Sequence, residues 1–383
     1  MPLLRIRVGI FLLAAAAFAA PAHFGRPSHI IQPALARFEY EQAHMGTQFR
    51  IVFYAADGET AARASTAAFD RIARLDAIMS DYSETSELMR LCRNAGRGPV
   101  RVSEDLFYVL AESQKLARRT DGAFDMSAGP IVRLWRRARR ARQLPSPERL
   151  AEAMALTGYD RIHLDEKTQS VRLEKEGMLL DLGGIAKGYA IEEALKTLRQ
   201  HGIERVLVAA GGDIATGLPP PGARGWTVRI ATENSGQGAA EMMNDERGTM
   251  NMELRIHHSS FIVHRSNDAS TEDLLLSRQA VSTSGDAEQF VEIDGARYSH
   301  IVDPRTGLGV RGRSSVTVIA PKAILSDSLA TAVSVLGPDR GLKLIDCMEG
   351  VAALIVQANE KGARRFESKL WKDIPKIKRE TGN

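Results

Sequence analysis

The stretch D-L-G-G-I-A-K-G at 181–188 holds the side chains best spaced to do chemistry. Gly183 and Gly184 let the backbone approach a ligand, and a helical pattern begins immediately after them. A helix N-terminus presents free N–H groups and a positive dipole, which suits an anion. Lys187 falls in the first turn of that helix, where a cation opposes the dipole. A phosphate bound between them would relieve the misfit. The alternative is a tight turn carrying a surface lysine. The spacing fits neither G-x-G-x-x-G nor G-x-x-x-x-G-K-[ST], so neither a dinucleotide fold nor a P-loop is indicated.

Asp327 and Thr331 stand at i and i+4 in D-S-L-A-T-A-V and project from one helix face. A carboxylate and a hydroxyl are hard oxygen donors suited to Mg²⁺, though the same pair is common on ordinary helices. His300 lies in S-H-I-V-D-P, near Asp303 and a turn at Arg305-Thr306-Gly307. That setting suits a general base or a structural histidine. No G-x-S-x-G, H-E-x-x-H or C-x-x-C motif occurs, which removes the usual serine-hydrolase, zincin and thioredoxin readings.

The elements that must hold these residues are legible in outline. Alternation at 48–55 predicts a strand, and apolar spacing at 59–79 predicts a helix. Ser103 caps a second helix running to about Arg118. Residues 133–142 (RLWRRARRAR) carry six arginines on a helical pattern, which reads as a solvated face or a basic docking patch. Pro145 and Pro147 break the chain before a third helix. The segments 162–164 and 171–173 predict a hairpin, followed by a strand ending at Leu182. A helix over 185–200 closes at Gly202, and a strand at 205–209 leads to Gly211-Gly212-Asp213. Residues 232–278 are polar and weakly periodic, which predicts an insertion. Its His257, His258 and His264 fit a solvated loop or an edge strand better than a metal site.

The N-terminus reads as a targeting signal. Arg5 and Arg7 precede a 13-residue run at 8–20, followed by Ala20-Pro21-Ala22. That run is shorter than the roughly 20 apolar residues a membrane span needs, so a cleaved signal peptide at 1–22 is expected. Residues 23–37 would be a tether. A periplasmic location follows for a Gram-negative source, and there Cys92 and Cys347 could pair.

Composition narrows the class. With 44% hydrophobic and 26% charged residues the chain is globular. A net charge of +4 and 6% aromatics argue against a nucleic-acid partner. Two cysteines cannot build a disulfide framework or a four-cysteine zinc site.

Taken in order, the motifs resemble the ApbE family, the FAD:protein FMN transferases. They are M-G-T at Met45, M-S-D-Y-S-E-T-S-E-L at Met79, G-A-F-D at Gly122 with Gly129-Pro130, and D-L-G-G-I-A-K-G-Y-A at Asp181. G-G-D at Gly211, S-T-S-G-D at Ser282, Y-S-H-I-V-D-P-R-T-G at Tyr298 and D-S-L-A-T at Asp327 complete the set. The resemblance implies one α+β unit over 38–375, with two lobes around a flavin cleft. It also implies transfer of FMN from FAD to a Thr or Ser hydroxyl of an acceptor protein, with Mg²⁺ and release of AMP. The acceptor would be a flavoprotein of a membrane or periplasmic redox system. By motif, FAD contacts fall on Met45, Tyr82, Ala123, Phe124, Asp125, Asp181, Lys187 and Tyr298. Mg²⁺ falls to Asp327, Thr331 and the backbone at Gly184, and His300 is the candidate base.

The chain departs from the family pattern at Cys92 (for Asn), Met126 (for Pro), Ala287-Glu288 (for a Tyr-Arg type pair) and Gly309 (for Pro). Ile324 stands where a second acidic residue often precedes the metal Asp. Two rival readings stand beside it: an FAD pyrophosphatase using the same site, and a non-catalytic flavin-binding protein, against which Asp327, Thr331, Lys187 and His300 argue.

Overall fold

Residues Thr47–Ala55 (TQFRIVFYA) alternate in the strand period. Phe49, Ile51 and Phe53 enter one core while Val52 enters another on the opposite face. The strand is therefore buried on both sides and must lie inside a sheet. It pairs with Ala36–His44 through a two-residue turn, in which Met45 and Gly46 both take positive φ (50° and 71°). Positive φ at both central residues matches the right-handed twist of a hairpin. The computed structural model describes residues 34–231, 261–262, 271–285, 290–359 and 362–377.

Those two strands start an eight-stranded sheet, antiparallel throughout, whose strands lie side by side in chain order. The others are Val206–Ala210, Asp213–Thr216, Ala280–Gly285, Arg313–Ala320, Ala352–Asn359 and Gly362–Glu367. Among the described residues it is accompanied by α1 (Gly58–Met79), α2 (Glu87–Arg93), α3 (Glu104–Arg119), α4 (Gly129–Ala141), α5 (Pro147–Ala155), α6 (Ala186–Gln200) and α7 (Ala323–Asp346), the last kinked at Gly337. Apolar residues of α1, α6 and α7 share the larger core with Phe49, Ile51 and Phe53. The opposite sheet face is covered by a smaller sheet containing Trp226–Ala231 and Thr271–Leu276, with Trp371 fully buried between. A third core joins Ile131 and Trp135 of α4 to Val291, Tyr298 and Val302. These last three lie in a three-stranded sheet built from Phe290–Ile293, Ala296–Asp303 and Leu308–Arg311.

The α+β class and most expected elements are present. Ser103 Oγ accepts from Leu106 N at the start of α3, as its sequence pattern requires. One expectation needs correction. The segment expected as a strand ending at Leu182 is irregular, because it finds no neighbouring strand and Asp181 N donates instead to Met126 O (2.8 Å). Within the stretch 232–278, expected as an insertion, Thr271–Leu276 is a strand antiparallel to Trp226–Ala231. Alternation in the stretch is weak because its residues are not cleanly divided between a wet and a dry face: Asp273, buried, pairs with Arg229 (2.7 Å). The signal peptide, most of the tether and His257, His258 and His264 lie outside the described residues. Among the described residues no helix is long and apolar enough to cross a membrane. Both thiols are free: Cys347 is exposed, and Cys92 is buried, with Sγ accepting from Leu180 N.

Candidate active site

Helices α6 and α7 meet through glycine. A β-carbon on Gly188 would lie 2.3 Å from Ala323 O, and one on Gly184 would lie 2.8 Å from Thr331 Oγ1. Gly188 lies in the first turn of α6 and Gly184 in the turn just before it, while Ala323, Asp327 and Thr331 follow one another at one-turn intervals on the facing helix. The absent side chains let the helices come close enough for Gly188 N to donate to Asp327 Oδ2 (2.9 Å). The glycines thus aim Asp327 and Thr331 at the N-terminus of α6.

Asp213 arrives from the sheet. Gly211 and Gly212 make the tight turn between Val206–Ala210 and Asp213–Thr216, with Gly211 at φ 59°. A β-carbon on Gly212 would meet Thr283 O at 2.7 Å, so a glycine is needed where Thr283 N donates to Gly212 O. Asp213 and Asp327 are both nearly fully buried. Lys187 Nζ sits between them, 2.8 Å from Asp213 Oδ2 and 3.4 Å from Asp327 Oδ1. Burial opposes the ammonium charge, but the two carboxylates outweigh it and raise the Lys187 pKa. Burial and the neighbouring Asp213 push the Asp327 carboxyl up to about 7, against the pull of Lys187. Two carboxylates sharing one ammonium leave a deficit of positive charge. Ser282 Oγ and Ser326 Oγ, 2.8 Å apart and buried, tie the sheet to α7 beside Asp327.

Asp181 precedes the glycines and caps their turn, accepting from Gly183 N at 2.8 Å. Its other oxygen accepts from Arg136 (3.0 Å), which also pairs with Asp81. Burial, and then Asp81, raise the Asp181 pKa, while Arg136 opposes them. The Arg136 guanidinium lies 4.5 Å from the ring centre of Tyr82, whose side chain is 75% exposed. An exposed ring backed by a guanidinium is a platform for a flat ligand.

The remaining expected residues are distributed less directly. Met45 keeps its strained backbone by donating its N–H to Asp76 Oδ2 (2.8 Å). Ala123 and Phe124 are buried. Asp125 is occupied internally: it accepts from Ser127 N and Oγ and from Tyr159 N. Tyr298 is buried, its ring 5.2 Å from Trp135 and its hydroxyl accepting from Arg311. His300 lies half-buried on Ala296–Asp303, a strand that packs against α7. The sequence reading named Gly184, Lys187, Asp327 and Thr331, which do converge. It missed Asp213 and Arg136. Asp213 was signalled by G-G-D after a strand, a turn that points its next residue into the core. Arg136 carried no signal, being one arginine among six.

The mixed helix–sheet unit that carries this site matches the architecture of solved flavin transferases. The structure of the flavin transferase ApbE from Vibrio cholerae superposes with a TM-score of 0.72 at 25% identity, covering 89% of this chain and 100% of that one. The apbe protein from Thermotoga maritima gives 0.70 at 30% identity, covering 88% and 99%. The ApbE family model matches residues 45–355, and the chain belongs to that family. Among its relatives is the FAD:protein FMN transferase of Salmonella typhimurium, 28% identical over 86% of each chain. The enzyme of the same name from Treponema pallidum is 30% identical over 83% of this chain and 84% of its own.

Proposed function

We propose that this chain is an FAD:protein FMN transferase, which moves FMN from FAD to a Thr or Ser hydroxyl of an acceptor protein and releases AMP. The observation that carries the reading is Lys187, held between buried Asp213 and Asp327 at the glycine-lined start of α6. The names of the relatives support the same assignment. The acceptor hydroxyl attacks the FMN phosphorus, the bond from that phosphorus to the bridging oxygen breaks, and AMP leaves with the electron pair. His300 takes the hydroxyl proton, a role worth about 10²–10⁴-fold in rate. Lys187, fixed as a cation at the positive end of the α6 dipole, holds the phosphate oxygens. Tyr82 and Arg136 present the platform for a flat ring.

The cluster suits Mg²⁺. Asp327 and Asp213 lack one positive charge, and Thr331 Oγ1 has no hydrogen-bond partner among the described residues. Asp327, Thr331 and the Gly184 backbone would hold the ion, which when bound neutralises pyrophosphate charge. We place the enzyme outside the cytoplasm, exported by its N-terminal signal, where it matures redox flavoproteins. The test is incubation of the mature chain with FAD, Mg²⁺ and the cellular protein that loses covalent flavin when the gene is deleted. Acid-stable fluorescence on that protein, with AMP in equal amount, is expected. Free FMN and AMP with an unlabelled acceptor would instead identify a pyrophosphatase.

A further inference from the structure

Helix α4 turns an arginine face toward open space. Ile131, Trp135 and Ala138 bury one side of it, and Trp135 Nε1 donates to Gly307 O (2.7 Å), which fixes the helix about its own axis. Arg133, Arg136, Arg137 and Arg140 then share the other side, at helical spacings of three and four. Together with Arg93, Met89 and Tyr82 they line a cleft of about 540 Å³. Arg136 is committed to Asp81 and Asp181. Arg93, Arg133, Arg137 and Arg140 have no carboxylate partner among the described residues, and Glu84 is the single further acid in the lining. Like charges at these spacings repel, so the protein keeps an arrangement that destabilises the empty helix.

Resting on the transferase reading, we infer that this face docks an acidic, extended segment of the acceptor protein close to the hydroxyl that receives FMN. Arg133 to Arg140 spans roughly 10 Å at 1.5 Å per residue. That length covers about three residues of extended chain, so carboxylates on alternate residues would meet successive guanidinium groups. A single pyrophosphate is too short to engage the row, and Lys187 with the start of α6 already offers it a site. Guanidinium groups also match carboxylates bidentately, which fixes register as well as charge. The cleft adjoins the flavin site through Arg136, which holds Asp181 on one side and faces Tyr82 on the other. A chain lying along α4 is thereby led toward the phosphate end of the site.

The test uses the full mature chain saturated with FAD and two labelled twelve-residue peptides, one alternating Glu with Ser and the other alternating Gln with Ser. Fluorescence anisotropy should show the Glu peptide binding, weakened at least about tenfold by raising salt, and the Gln peptide not binding. Arg137→Glu with Arg140→Glu, both at exposed positions, should weaken the Glu peptide by about tenfold or more and FAD by less than about twofold. Three results would overturn the inference: equal binding of both peptides, no effect of the double substitution, or displacement of the Glu peptide by excess FAD. Glu-peptide binding that persists in a chain unable to transfer FMN would contradict the transferase reading alone.

Discussion

Gly184 faces Thr331 so closely that a β-carbon on the glycine would stand 2.8 Å from the threonine hydroxyl. The start of one helix and a side chain of the other thereby approach at a distance that leaves no room for a β-carbon at 184. The contact joins the start of α6 to Asp327 and Thr331 of α7, and the proposed site depends on it.

Gly188→Ala should therefore damage the protein more than Gly184→Ala. At 188 the new methyl meets backbone, Ala323 O, which cannot swing away; at 184 it meets a side chain. Overpacking of this kind costs about 1–3 kcal/mol. Thermal unfolding should rank the two variants in that order. Gly184→Ala should fold yet lose FAD turnover through displacement of Thr331. Full turnover in that variant would separate the contact from the chemistry.

Lys187→Met removes the ammonium and leaves Asp213 and Asp327 facing each other in a buried site. Breaking one partner from a buried charge group costs about 3–5 kcal/mol. Adding Asp213→Asn should restore much of that stability without restoring FAD affinity. Denaturant unfolding across the double-mutant cycle, with FAD binding followed by flavin fluorescence, measures both.

Arg71 ties α1 to Asp105 of α3 and Glu193 of α6, at 2.5 Å to each, and Tyr189 also donates to Asp105. Burial alone would raise the Asp105 pKa, but Arg71 and Tyr189 reverse it and hold the carboxyl below the usual range. A lowered folded-state pKa gives stability that is present above the ordinary carboxylate value and lost as pH falls through the folded one. Arg71→Ala should thus cost about 2 kcal/mol or more at neutral pH, the pair being partly exposed. Urea midpoints of the variant and parent should converge in acid. A gap that stays constant down to the acid limit would show that packing, not charge, carries the effect.

How far the sequence alone reached depended on periodicity. The strand at Thr47–Ala55 and the helices α1, α3 and α6 were legible because their apolar residues repeat at two or at three to four residues. Leu180 and Leu182 looked like strand because they are apolar and alternate, yet no neighbouring strand receives their hydrogen bonds. Gly184, Lys187, Asp327 and Thr331 were legible through local geometry on their own helices. Asp213 comes from a distant strand, and only the fold brings its carboxylate 2.8 Å from Lys187. The arginines of α4 looked interchangeable until Trp135 fixed which of them face the cleft.

His300→Ala should slow FMN transfer by about 10²-fold or more while leaving FAD affinity nearly unchanged. Its pH–rate profile should lose the lower limb that a histidine base imposes. A proportional loss of FAD affinity would make His300 a binding residue instead.

The central claim is that the Asp213–Lys187–Asp327 cluster serves a metal-dependent flavin transfer. It is tested most directly by acceptor flavinylation and AMP release in Asp327→Asn and the parent chain, measured across a Mg²⁺ titration. Asn keeps the shape of the side chain and an oxygen donor but removes the charge that a hard cation favours. The parent should require Mg²⁺ and yield labelled acceptor and AMP in equal amounts, while Asp327→Asn should lose both products together at every Mg²⁺ concentration. Transfer by the parent without Mg²⁺, or an Asp327→Asn variant with the parent's Mg²⁺ dependence and rate, would contradict it.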